Sequence, residues 1–134
     1  MRLLPLGLAL LVAGCGTIFG PDEERVIGII GNDLGIEVPA SVQAGQDFTV
    51  TIATGWRNTC AREDGTEVQL QAASATVTPY DRVTEGGMCG QAPQQFTHIA
   101  TLRFSQPGTA VINIRGRPSH KEGARTIQRT VIVQ

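Results

Sequence analysis

The sequence predicts an all-β chain folded as an antiparallel β-sandwich of seven or eight strands, and three observations carry that prediction. Short runs rich in Val, Ile, Thr and Phe recur between turn signals. No stretch sustains the apolar period of a helix. Gly and Pro together supply 23 of the 134 residues while 41% are hydrophobic, the balance of a turn-rich folded chain and not of a disordered one.

At the N-terminus, Met1-Arg2 precede a Leu-rich run from Leu3 to Ala13 that carries no charge. A short positive region followed by an apolar stretch of this length is the layout of an export signal. A membrane-spanning helix needs about 20 apolar residues to cross roughly 30 Å of hydrocarbon. Polar, Gly-rich sequence resumes at Gly14, so the segment is too short for an ordinary span.

The end of that run, Leu11-Val12-Ala13-Gly14-Cys15, resembles the lipobox of bacterial lipoproteins. The resemblance implies that residues 1–14 are a cleaved signal peptide and that the Cys15 thiol carries the lipid, with palmitate-type chains anchoring the protein to a membrane. Each buried methylene contributes about 0.8 kcal/mol, so two or three chains hold far more firmly than one. Gly16 stands where enterobacterial lipoproteins kept at the inner membrane carry Asp, which implies the outer membrane if the source has two. Residues 15–24 then read as a lipidated N-terminus and tether, with Gly, Pro and three successive acids and no period of either kind. Nine residues, 16–24, reach about 30 Å at most, which places the domain, 25–134, close to the bilayer.

Within the domain, residues 25–30 and 35–38 make a first strand interrupted at Gly31-Asn32-Asp33. Ala44-Gly45-Gln46 is a turn, and 47–54 alternate, with Phe48, Val50 and Ile52 on one face and Thr49 and Thr51 on the other. Residues 67–71 and 73–80 form the middle of the sheet pattern. Residues 98–104 group Ala100, Leu102 and Phe104; after Pro107-Gly108, Ala110, Ile112 and Ile114 alternate with Asn113 and Arg115; and 126–133 close the chain. The stretches 55–65 and 81–97 read as loops. This many short strands in about 100 residues fits a sandwich or a small barrel.

Two passages decide between those architectures. Val38-Pro39 and Ala44-Gly45-Gln46-Asp47-Phe48-Thr49-Val50-Thr51-Ile52 resemble the opening hairpin of bacterial immunoglobulin-like and fibronectin-like surface modules. Leu102-Arg103-Phe104 through Pro107-Gly108-Thr109-Ala110 to Ile114 is similar to the turn between their last strands. The resemblance implies an immunoglobulin-like sandwich and no particular activity. Cys60 and Cys89 fall in expected loops and not on facing strands, and Ala110 stands where a corner Tyr is common, so the antibody pattern is not followed.

With Cys15 assigned to lipid, Cys60 and Cys89 remain as an even pair in an oxidising compartment, for which a disulfide is the default. Closing a loop of some thirty residues contributes roughly 3 to 4 kcal/mol in the chain-entropy account. The alternative, a metal or redox role, lacks a CxxC and any nearby His spacing. Removing the signal leaves a formal charge of −2, against the basic face that nucleic acid requires.

The sequence offers no catalytic constellation, metal site or cofactor motif. His98 and His120 fall on different elements and read as strand or surface residues, and the order of His, Cys and Met is wrong for a cupredoxin-like copper site. Arg62-Glu63-Asp64-Gly65 is a turn signal without the spaced acids of a calcium loop. Binding remains. The two expected loops hold the only Trp, Trp56, with the only Tyr, Tyr80, at the edge, together with Arg57, Arg62 and Arg82. Aromatic and Arg side chains are the usual anchors of recognition surfaces; equally, Trp56 and Tyr80 could pack over the disulfide as a small core under the loops. A second candidate is charge, since residues 103–134 carry +5 and residues 15–102 carry −7, although outward Arg on edge strands also blocks aggregation. The expectation is a lipid-anchored, non-enzymatic binding or interaction module of the cell envelope, its partner an envelope protein or glycan. The alternatives are a structural subunit of an envelope complex and, more weakly, a small-ligand or metal-binding β-barrel lipoprotein.

Overall fold

The computed structural model describes residues 22–31 and 35–134. The signal, Cys15 and residues 16–21 lie outside the described residues, as do Asn32 and Asp33 of the expected strand interruption.

Nine strands form among the described residues: β1 (Asp22–Ile27), β2 (Ile36–Glu37), β3 (Ser41–Val42), β4 (Phe48–Trp56), β5 (Ala61–Leu70), β6 (Ser74–Glu85), β7 (Gln94–Leu102), β8 (Gly108–Gly116) and β9 (Arg125–Val133). The sequence expectation of seven or eight misses the two-residue β2 and β3 as separate elements. The chain is all-β, in two sheets. One has the order β1-β6-β8-β9-β3 with β5 also paired to β6, and the other is β2-β4-β7.

Alternation builds the core. On β4, Phe48, Val50, Ile52 and Thr54 are buried while the intervening residues are more exposed. Ala110, Ile112 and Ile114 of β8 and Val131 and Val133 of β9 face them from the other sheet, and the rings of Phe48 and Phe104 meet at 5.8 Å between centroids. Each such side chain contributes about 1.5–3 kcal/mol on burial. Gly45, at φ +78°, turns the chain into β4, a conformation that only glycine adopts at no steric cost.

Not every pairing is antiparallel. β3 runs parallel to β9, and Ser74 to Val77 of β6 run parallel to β8. The second follows from chain order: β7, the strand between them in sequence, returns in the other sheet, so β6 and β8 run through their shared sheet in the same direction. With β5 along one edge, β6 offers its other edge first to β8 and then, from Tyr80 to Glu85, to β1.

The expected loops at 55–65 and 81–97 are mostly strand. β4 runs to Trp56, β5 starts at Ala61, β6 continues to Glu85 and β7 starts at Gln94, leaving only 57–60 and 86–93 irregular. The expected tether is shortened too, because Asp22, Glu23 and Glu24 pair with Glu85, Thr84 and Val83. The ladder supplies their backbone partners, which outweighs the low strand propensity of acids.

After β1, the backbone stitches the sheets together. Gly28 N donates to Pro79 O (2.9 Å), Ile30 N to Arg117 O (2.9 Å) and Gly55 N to Ile29 O (3.0 Å). Ile29 thus bridges β4 of one sheet and the end of β8 in the other. Gly28 permits this approach, since a Cβ there would collide with the Thr54 side chain and lie 3.1 Å from Asp81 Oδ2.

Candidate functional site

The register gathers one end of the molecule. The ends of β4, β6 and β8 and the starts of β1, β5, β7 and β9 lie there, with the connections 57–60, 86–93 and 117–124. Cys60 and Cys89 are bonded, with Cα atoms 5.4 Å apart. Around the bond, Thr59 N donates to Gly90 O (3.1 Å), Gly90 N to Thr59 Oγ1 (2.7 Å) and Cys60 N to Asn58 Oδ1 (2.9 Å). The two connections are therefore held to each other by both covalent and hydrogen bonds.

The five residues singled out in the sequence do not form one surface. Arg62 and Arg82 sit in a row with Arg25 across β5, β6 and β1. Such a row of like charges is unfavourable unless acids offset it. Asp64 accepts from Arg82 Nη2 at 2.9 Å and lies 3.3 Å from Arg25 Nε, while Glu23 accepts from Arg62 at 3.1 Å. Asp64 reaches that position through a bulge: Asp64 and Gly65 together oppose one residue of β6, with Gly65 at φ +89°. Tyr80 joins the same network, with the Arg25 guanidinium carbon 3.9 Å from its ring centroid. Arg62, Tyr80 and Arg82 are thus engaged with neighbouring side chains of their own sheet.

Trp56 and Arg57 stand apart from that row. With Ile29, Gly55, Pro118, Ser119 and His120 they line a cleft of about 280 Å³. Arg57 Nη1 lies 3.3 Å from His120 Nε2. Ile29 brings this about, because it pairs with both Gly55 and Arg117 and so sets β4 beside the 117–124 connection.

A buried polar cluster that sequence reasoning missed lies between the sheets. His98, on β7, is 1% exposed and Asp81, on β6, is 2% exposed. His98 Nε2 is 2.8 Å from Asp81 Oδ1 and 3.1 Å from Thr54 Oγ1. Its Nδ1 is 3.1 Å from the Gly65 carbonyl, to which it donates, 3.0 Å from Thr66 Oγ1 and 3.4 Å from Glu63 Oε1. Hydroxyl, imidazole and carboxylate in series is the order that activates a nucleophile. Here, however, Nδ1 is shared among three oxygens, and none of Thr66, His98 and Asp81 lines the Trp56 cleft. The geometry suits a polar tie among four strands. Its signal was present in phase: His98 alternates with Ala100 and Leu102, and Asp81 with Val77, Pro79 and Val83, all buried.

The basic C-terminal part is divided as well. Arg103 Nε donates to Asp47 Oδ1 at 2.7 Å, and this hydrogen bond and charge hold the Asp47 carboxyl below its ordinary range. Arg117 Nε donates to Ile27 O at 2.7 Å, tying β8 to β1, whereas Arg115, Lys121 and Arg125 are exposed. No protein-family model, curated protein or solved structure matches the chain.

Proposed function

We propose that this chain is a lipid-anchored binding or interaction module of the cell envelope, non-enzymatic, carried on an immunoglobulin-like sandwich. The observation that carries the reading is the gathering at one end of the start of β1, the Cys60–Cys89 staple and the Trp56 cleft. Cross-linked connections lower the ordering cost of association. The lipobox-like residues 11–15 supply the anchor, and the seven-residue step from Cys15 to Asp22 reaches about 25 Å at most, which keeps that end near the bilayer.

The turn at Gly45 and the β8–β9 hairpin support the immunoglobulin-like description. The parallel β6–β8 pair departs from that fold's two antiparallel sheets. The second reading, a structural subunit of an envelope complex, is favoured by the arginine row, whose charges are already satisfied internally.

The anchor is tested by comparing the wild type with Cys15→Ser after metabolic labelling with palmitate and membrane fractionation. Label and membrane retention in the wild type alone support the anchor, while unchanged retention of the Ser variant overturns it. Crosslinking in the native envelope followed by capture then separates the two readings: a partner that exchanges on and off fits a binding module, and a fixed-stoichiometry complex fits a subunit.

A further inference from the structure

The Trp56 cleft has a charge arrangement that points to a ligand class. Arg25, Arg62, Arg82 and Arg103 each sit on a carboxylate. Arg57 instead faces the His120 imidazole, and no carboxylate among the described residues pairs with it. Since a guanidinium only donates, His120 Nε2 accepts at 3.3 Å. The nearby acid, Glu122, accepts from the Ser119 hydroxyl at 3.0 Å. Gly55 N is already used by Ile29 O.

Below these polar groups the walls are apolar, from Trp56, Pro118 and Ile29. A volume of about 280 Å³ lies at the small end for ligand sites, enough for one large side chain with its terminal group. One guanidinium matches one monoanion, bound bidentately.

We infer that this cleft binds the free C-terminal carboxylate of a peptide ending in a large apolar residue, the carboxylate on Arg57 and the terminal side chain against Trp56 and Pro118. This rests on the binding-module reading and names its ligand.

Trp56 is the chain's only tryptophan, so its fluorescence reports on the cleft directly. The full mature chain in detergent is titrated with acetyl-Gly-Gly-Leu bearing a free carboxylate, and separately with the same peptide as its C-terminal amide. The expected result is a saturable change with the acid, at least tenfold weaker with the amide and with Arg57→Gln. Circular dichroism and the intact disulfide serve as checks that the variant is folded. No saturable change with the acid, or equal binding of acid and amide, overturns the inference. Displacement of the peptide by phenyl phosphate at lower concentration than by phenylacetate overturns the monoanion assignment. Failure here with a partner still captured in the envelope removes the cleft's ligand and leaves the binding-module reading standing.

Discussion

His98 Nε2 and Asp81 Oδ1 lie 2.8 Å apart between the two sheets, joining β7 of one to β6 of the other. Neither residue has appreciable access to water, and the His98 ring compensates Asp81 for its lost hydration. Breaking a buried pair by removing one partner is costly, whereas replacing both by apolar groups is far less so. His98→Leu and Asp81→Leu are each expected to destabilise the fold by about 3 kcal/mol, and the double variant by clearly less than their sum. Urea denaturation of the four proteins measures this as a cycle, and strictly additive losses would falsify the coupling.

The staple makes a separate contribution. Cys60 and Cys89 are 29 residues apart in sequence, and closing that loop restricts the unfolded chain by roughly 3 to 4 kcal/mol in the entropy account. The Cys60→Ser/Cys89→Ser variant is expected to lose about that much stability. Adding reductant should bring the wild type down to the variant and leave the variant unchanged. A wild type indifferent to reductant under denaturing conditions, where the bond is accessible, would count against a bonded pair.

Strand faces were legible wherever the alternation was apolar, as at Phe48, Val50 and Ile52 or Ala110, Ile112 and Ile114. They were harder to read in the second half of β6, where Pro79 and Asp81 break the run of apolar residue types although both keep its phase and face inward. Pro79 is tolerated because it falls between the stretch of β6 paired with β8 and the stretch paired with β1, where that edge asks for no donor. Trp56 and Arg57 could be chosen from their residue types. Their neighbours Pro118 and His120 could not, because that proximity depends on Ile29 pairing with two distant strands at once. The separation of Arg62, Tyr80 and Arg82 from Trp56 is likewise a matter of register, which composition does not encode.

Asp47 and Arg103 form an exposed pair whose effect is visible in titration more than in stability. The Arg103 hydrogen bond, then its charge, lowers the Asp47 pKa from the ordinary 3.8. A carboxylate depressed in the folded state contributes stability above its unfolded pKa and loses it as pH falls through the lower folded value. Carbon-detected NMR titration should therefore place the Asp47 midpoint below 3.8, and Arg103→Gln should return it upward. High salt should shrink the difference, because both groups face solvent. An Asp47 midpoint unmoved by Arg103→Gln would show that the pair does not persist in solution.

Asp64 carries more than an ordinary surface acid because it answers two cations of the arginine row. It lies 3.3 Å from Arg25 and 2.9 Å from Arg82, and its own side chain is 25% exposed. Removing it leaves Arg25 and Arg82 as directly opposed cross-strand cations, with Arg62 opposite Arg82 on the other side. Exposed ion pairs contribute about 0–1 kcal/mol, but here the loss of attraction is joined by uncompensated repulsion within a partly shielded network. Asp64→Asn is expected to lower stability by about 1–2 kcal/mol at low salt, with much of the deficit recovered at 1 M salt, where charges beyond about 3 Å are screened. The bulge should survive, since Asn retains the shape and Gly65 keeps its conformation. Thermal unfolding of both proteins across a salt series tests this, with retained β-sheet circular dichroism as the control. A deficit that stays constant with salt would mean that Asp64 acts through local backbone geometry, and the electrostatic account of the row would fail.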